Sequence, residues 1–183
     1  MAIKTFTTGE VLTASDTNTY LANSGLVYIN QFTLSGGTTN LTSIFSSTYD
    51  NYRLIVSGVT TAAAVECTFQ MLNATTPATG ANYNSVRWSS VTGVGATTGQ
   101  TSGRFITTGT TLQSWAVEVF NPATATKTNI NSSGQYGANT DSGWPEMNGA
   151  VHTLATAYDG ISMIAPGTTW SAGKVTVYGY RKP

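Results

Sequence analysis

From Gly25 onward the chain reads as short runs of alternating apolar and polar residues, broken by Gly, Pro, Asn or Ser about every 8–15 residues. That rhythm limits the fold more than any other feature. A helical bundle needs apolar residues recurring with period 3.6 over long windows, and a parallel sheet needs a helix between successive strands. Neither pattern occurs here. The clearest runs are residues 52–59, residues 65–72 with Val65, Cys67, Phe69 and Met71 on one face, and residues 112–120 with Trp115, Val117 and Val119 on one face. Residues 83–91 alternate through Val86, Trp88 and Val91, and residues 149–157, 160–164 and 174–180 add further strands. Eight or nine such strands predict an all-β fold, an antiparallel β-sandwich of jelly-roll type. No repeat of fixed period stands out.

Composition supports this reading. Charged residues make up 9% of the 183, against about 25% in ordinary soluble domains. Thr, Ser, Asn and Gly take their place: β-branched Thr suits a pleated strand, and the others suit tight turns. A surface so poor in charge favours self-association, which points towards an oligomer. The eight Lys and Arg form no stripe for phosphates to follow, so nucleic-acid binding is not expected. No apolar run is long enough for a membrane helix, and residues 1–8 have no apolar signal core, so the chain is expected to fold in a cytoplasm without engaging a membrane.

Between the strands, residues 41–45 read as one helical turn. Residues 92–103, rich in Gly and Thr, read as a mobile or partner-bound loop, residues 127–137 as an edge strand, and residues 139–148 as a loop carrying Trp144-Pro145. Trp88 and Trp115 are assigned to the core. Trp144, beside Pro145, is the exposed aromatic predicted to meet a partner.

Residues 1–24 differ from the sandwich of residues 25–183. Thr13 or Ser15 can cap a short helix, Asp16 suits its first turn, and Gly25 stops it after about Asn23. So short a helix needs a docking surface. Ile3, Phe6, Val11, Leu12, Tyr20 and Leu21 supply the apolar contacts. Two placements fit: against its own domain, or as an arm on a neighbouring subunit.

No catalytic constellation emerges. His152, the only histidine, alternates with apolar neighbours and reads as a surface or interface residue facing away from Val151. Cys67, the only cysteine, reads as a small buried side chain. Glu66 and Glu118 lie mid-strand and are the one carboxylate pair that a sheet might bring face to face for glycosidase chemistry. No metal-ligand spacing and no phosphate loop occur, so no cofactor and no enzyme activity are expected.

Three segments carry a resemblance. Phe6, Gly9-Glu10-Val11-Leu12-Thr13-Ala14, Asp16, Asn18 and Tyr20-Leu21 follow the order of an N-terminal module of tailed-bacteriophage virion proteins. Residues 48–56 and residues 170–180, from Trp170 to Tyr180, are similar to strands of small phage structural and fibre proteins. The resemblance implies a virion component, for which three roles are open. The leading expectation is a head decoration (cement) protein, a homotrimer bound to the major capsid protein or another virion protein on the particle exterior. The alternatives are a tail, collar or head fibre that recognises host surface glycans through residues such as Trp144, and a polysaccharide depolymerase using Glu66 and Glu118.

Overall fold

The computed structural model describes residues 7–11, 13–16, 25–90, 92–136 and 144–182. Among these residues one helical turn, α1 (Ala14–Asp16), precedes thirteen strands. In chain order these are β1 (Leu26–Thr33), β2 (Thr38–Leu41), β3 (Asn51–Thr61), β4 (Val65–Asn73), β5 (Thr76–Pro77), β6 (Tyr83–Ser89) and β7 (Gly93–Gln100). They continue with β8 (Gly103–Thr108), β9 (Gln113–Phe120), β10 (Thr128–Tyr136), β11 (Trp144–His152), β12 (Gly160–Ile164) and β13 (Trp170–Tyr180). Every pairing between these strands is antiparallel. The large sheet runs β1-β13-β3-β9-β10-β11-β6-β7. The small sheet runs β2-β12-β4-β5, with β8 also on β4. The chain is therefore an all-β sandwich of two antiparallel sheets, as its turn rhythm predicts.

The core lies between the sheets. Leu54, Val56, Val117, Val119, Val175 and Val177 project from β3, β9 and β13, and Cys67, Phe69, Met71, Ile161 and Met163 from β4 and β12. All are fully buried, and each except Cys67 contributes about 1.5–3 kcal/mol of transfer free energy. Two buried tyrosines tie loops and sheets together. Tyr83 Oη accepts from the Met71 N–H and donates to the Ala78 carbonyl, both at 2.9 Å. Tyr52 Oη accepts from the Ser46 N–H at 2.6 Å and donates to the Ser46 carbonyl at 2.8 Å. Cys67 sits in this core beside Thr108 Oγ1 at 3.2 Å, as a small buried side chain. Burial pushes its thiol up to about 12, far from any reactive thiolate.

Several local expectations are corrected. Residues 92–103 are not a loop for most of their length: Gly93–Gln100 is the edge strand β7, held by main-chain pairing to β6. Residues that bury nothing still form an edge strand when a neighbour offers backbone groups. Residues 128–136 are not an edge, because β10 lies between β9 and β11. Residues 41–45 form no helical turn. Trp144 and Pro145 belong to strand β11 rather than a loop, as its first two residues. His152 is buried, not exposed. It does face away from Val151, but inward, where Tyr83 and Tyr158 meet it edge-on at 4.5 and 5.1 Å between ring centres. Beyond Ala14–Asp16, the helix expected to reach Asn23 lies outside the described residues.

Candidate functional site

Two features on β6 and β11 set this part of the molecule apart, one on each face of the large sheet. Inside, the strands carry polar side chains: Ser85 and Ser89 on β6, and Glu146 and Asn148 on β11, all buried. Glu146 is 0% exposed. Its Oε2 accepts from the Thr107 N–H at 2.9 Å and its Oε1 from the Thr107 hydroxyl at 3.1 Å, so β8 holds it across the gap between the sheets. Arg87 Nε stands 4.0 Å from Glu146, while Arg87 Nη1 reaches Glu66 at 2.6 Å. Arg104 Nε takes the other Glu66 oxygen at 2.8 Å. Two carboxylates and two guanidiniums thus balance in one network stitching β4 and β8 to β6 and β11. Burial nevertheless dominates at Glu146 and raises its pKa above the ordinary carboxylate value, against the opposing pull of Thr107, Asn148 and Arg87.

Outside, the same strands carry apolar side chains. The strand registers align the outward residues in rows. One row runs Arg53, Glu118, Asn131, Gly149, Val86, Ala96, and the next runs Ile55, Ala116, Ser133, Met147, Trp88, Val94. The middle of both rows is small, and the flanks are large. The result is a trough of about 530 Å³ across the sheet. Its floor is Ala116, Asn131, Ser133 and Gly149. Trp88 and Met147, 44% and 56% exposed, stand on one side with Val86. On the other side Arg53 Nη1 pairs with Glu118 at 3.4 Å, and the Tyr180 hydroxyl donates to Glu118 Oε2 at 2.8 Å. Burial first, then the Glu118 carboxylate, raise the Tyr180 phenol above its ordinary value. A second hollow of about 380 Å³ adjoins the first, shares Val86, Asn131 and Gly149 with it, and extends the trough past Asn84 and Asn129.

The trough is assembled from residues that reading the sequence did not select. Trp88, expected in the core, faces out, whereas Trp115 and Trp170 are buried. Alternation along residues 83–89 separates Tyr83, Ser85 and Ser89 from Val86 and Trp88, but it does not say which set points inward. Of the predicted interaction residues, Trp144 is 41% exposed and Pro145 is exposed, at the end of β11 away from Val151 and beyond the trough lining. Val11 is exposed, and Ile3, Phe6, Leu12, Tyr20 and Leu21 lie outside the described residues. Glu66 and Glu118 do not face each other. Glu66 is on β4 of the small sheet with Arg87 and Arg104, and Glu118 on the outer face of the large sheet with Arg53. Among the described residues, no three His, Cys, Asp or Glu side chains are grouped to hold a metal ion. Neither a family model, nor a curated protein, nor a solved structure matches this chain.

Proposed function

We propose that this chain is a structural protein of a tailed-phage virion, a decoration protein that sits as a homotrimer on the exterior of the head. The sequence resemblance supplies the virion. One structural observation supports the decoration role: the two ends of the large sheet differ. Leu26, Tyr180, Asn51 and Phe120 align at one end, and Arg181 N–H meets the Gly25 carbonyl there at 3.4 Å. The N-terminal segment, the first of the three that carry the resemblance, therefore joins the sandwich at that end. Towards the other end lie three exposed apolar side chains, Leu112 just before β9, Val94 on β7 and Trp144 on β11, against Leu26 alone among the four residues aligned at the first end. An attachment segment at one end and an apolar tip at the other suit a subunit that anchors to a shell and packs against copies of itself. Three modest anchors on one trimer give an avidity well above that of any one alone.

Quantitative mass spectrometry of purified particles tests the reading. A decoration protein is present in hundreds of copies per particle, and a fibre in tens or fewer. Deletion of residues 1–24 is expected to abolish incorporation while the sandwich still folds; a truncated chain that still decorates particles would refute the anchoring role. The fibre is the second reading, and the open trough is the observation that favours it.

A further inference from the structure

We propose that the trough on the outer face of the large sheet is a binding site for a neutral oligosaccharide, seated against Trp88 and over Gly149. The inference holds for a decoration protein and for a fibre alike, and it moves glycan recognition away from Trp144.

Three independent features converge. The first is the chemistry of the lining. A sugar ring presents an apolar C–H face and a rim of hydroxyls, and needs an aromatic or apolar wall beside donors and acceptors. Trp88, Met147 and Val86 form such a wall, facing Asn131, Ser133 and the Arg53–Glu118 pair across the floor. Among the described residues neither Asn131 nor Ser133 spends its side chain on a hydrogen bond within the protein, so both are available to hydroxyls. The second feature is charge. Among the described residues, Arg53 is the only cation lining the trough and Glu118 the only anion, and they pair at 3.4 Å. Nothing is left over for an acidic sugar, a phosphate or a basic peptide.

The third feature is Gly149. A glycine inside a strand loses stability unless something requires it, and close approach of another group is a usual reason. Gly134, on neighbouring β10, has such a reason within the protein, since a Cβ there would collide with the Cβ of Trp115. Gly149 has none: its φ is not left-handed, and a Cβ would meet only Asn131 Oδ1, at an ordinary 3.6 Å. The space over it belongs to the trough. Hollows of about 530 and 380 Å³ joined through Val86, Asn131 and Gly149 fall within the roughly 300–1,000 Å³ of small-molecule sites. The lengthened trough suits several linked rings rather than a monosaccharide.

The test uses the purified full chain, titrated with maltohexaose, cellohexaose, chitohexaose and neutral delipidated bacterial O-polysaccharides, with acidic glycans alongside. Binding is read by calorimetry and tryptophan fluorescence. At least one neutral glycan is expected to bind, with affinity falling about tenfold or more in Trp88→Ala as the stacking contact is lost. Gly149→Ile fills the trough with a strand-favouring side chain and is expected to abolish binding with no loss of fold; it keeps the test decisive should Trp88→Ala fold poorly. Trp144→Ala is expected to bind as the parent does. No binding across the panel would overturn the proposal. So would binding confined to acidic glycans, binding that survives Gly149→Ile, or self-association that Gly149→Ile abolishes, which would make the trough a contact between copies.

Discussion

The two halves of the large sheet obey opposite rules. In β3, β9 and β13, apolar residues point in and the outward positions include Arg53, Glu118 and Lys174. In β6 and β11, Ser85, Ser89, Glu146 and Asn148 point in beside Tyr83 and Ala150, and Val86, Trp88 and Met147 point out. Both halves alternate with period two, so both are acceptable strands. They differ in what lies beneath them. The first half covers the apolar side chains of β4 and β12. The second lies against β8, whose Thr107 and Arg104, with Glu66 from β4, offer charged and hydrogen-bonding partners. Glu146 finds Thr107 there, and an unpartnered buried carboxylate would cost about 1–3 kcal/mol or more. The second half therefore gives up apolar burial inside and displays apolar surface outside, where a ligand or partner can use it.

Four experiments would break or sharpen that contrast. The largest effect belongs to the apolar half: Leu54→Ala is expected to destabilise the fold by about 2–5 kcal/mol, read from urea denaturation. A loss below about 1 kcal/mol would remove the distinction between the halves. Next comes the polar half. Arg87→Met withdraws the cation between Glu66 and Glu146 and is expected to cost about 1–3 kcal/mol, less than for a fully enclosed pair because Arg87 and Glu66 keep 20% and 25% side-chain exposure. A neutral or stabilising result would show that the network adds nothing to the fold.

A third, smaller effect depends on pH. The pKa of Glu146 is raised in the folded chain, so the folded state holds its proton more tightly than the unfolded state does. Ionising it costs stability as pH climbs from the ordinary 4.5 through the raised value. Glu146→Gln is expected to gain on the parent across that window, the gap opening with rising pH in urea titrations and closing below it. A gap that shrinks as pH rises would reverse the assignment. His152 works the other way. Burial lowers its pKa, so stability present above the ordinary 6.5 is lost on acidification, in both parent and variant. The smallest effect on folding belongs to the outer face: Trp88→Thr is expected to change stability by less than about 1 kcal/mol, since only cross-strand contacts with Met147 and Val94 are lost. A larger loss would mean that Trp88 serves the fold rather than a ligand.

Much of the architecture was legible beforehand. Strands around residues 52–59, 65–72, 112–120, 160–164 and 174–180 stand where alternation and turn residues put them, and the inward faces of β4 and β9 are the expected ones. The site was not legible. Trp88 was assigned inward on the general rule that aromatics fill cores, and His152 outward on the rule that polar residues face water. The two rules fail for different reasons: His152 is enclosed by the rings of Tyr83 and Tyr158, whereas Trp88 faces out because the sandwich has a polar interior beneath the Ser89 end of β6 and the Glu146 end of β11. The residues that make it polar, Glu66, Arg104 and Thr107, lie elsewhere in the chain. Residues 93–100 failed differently, because an edge strand draws on backbone pairing that no side-chain pattern records.

By itself, then, the sequence determined the class: Thr, Gly and Asn in place of charge, and turns at short intervals, leave an antiparallel β-sandwich as the economical way to bury the apolar residues. It also determined that alternation separates each strand into two faces, because side chains in an extended chain leave on opposite sides. Only the tertiary structure decided which face turns inward. Phase is set by the sheet packed opposite, and that contact joins residues far apart in the chain. The trough between Trp88 and the Arg53–Glu118 pair exists because five strands come into register, and register between distant strands is a property of the fold.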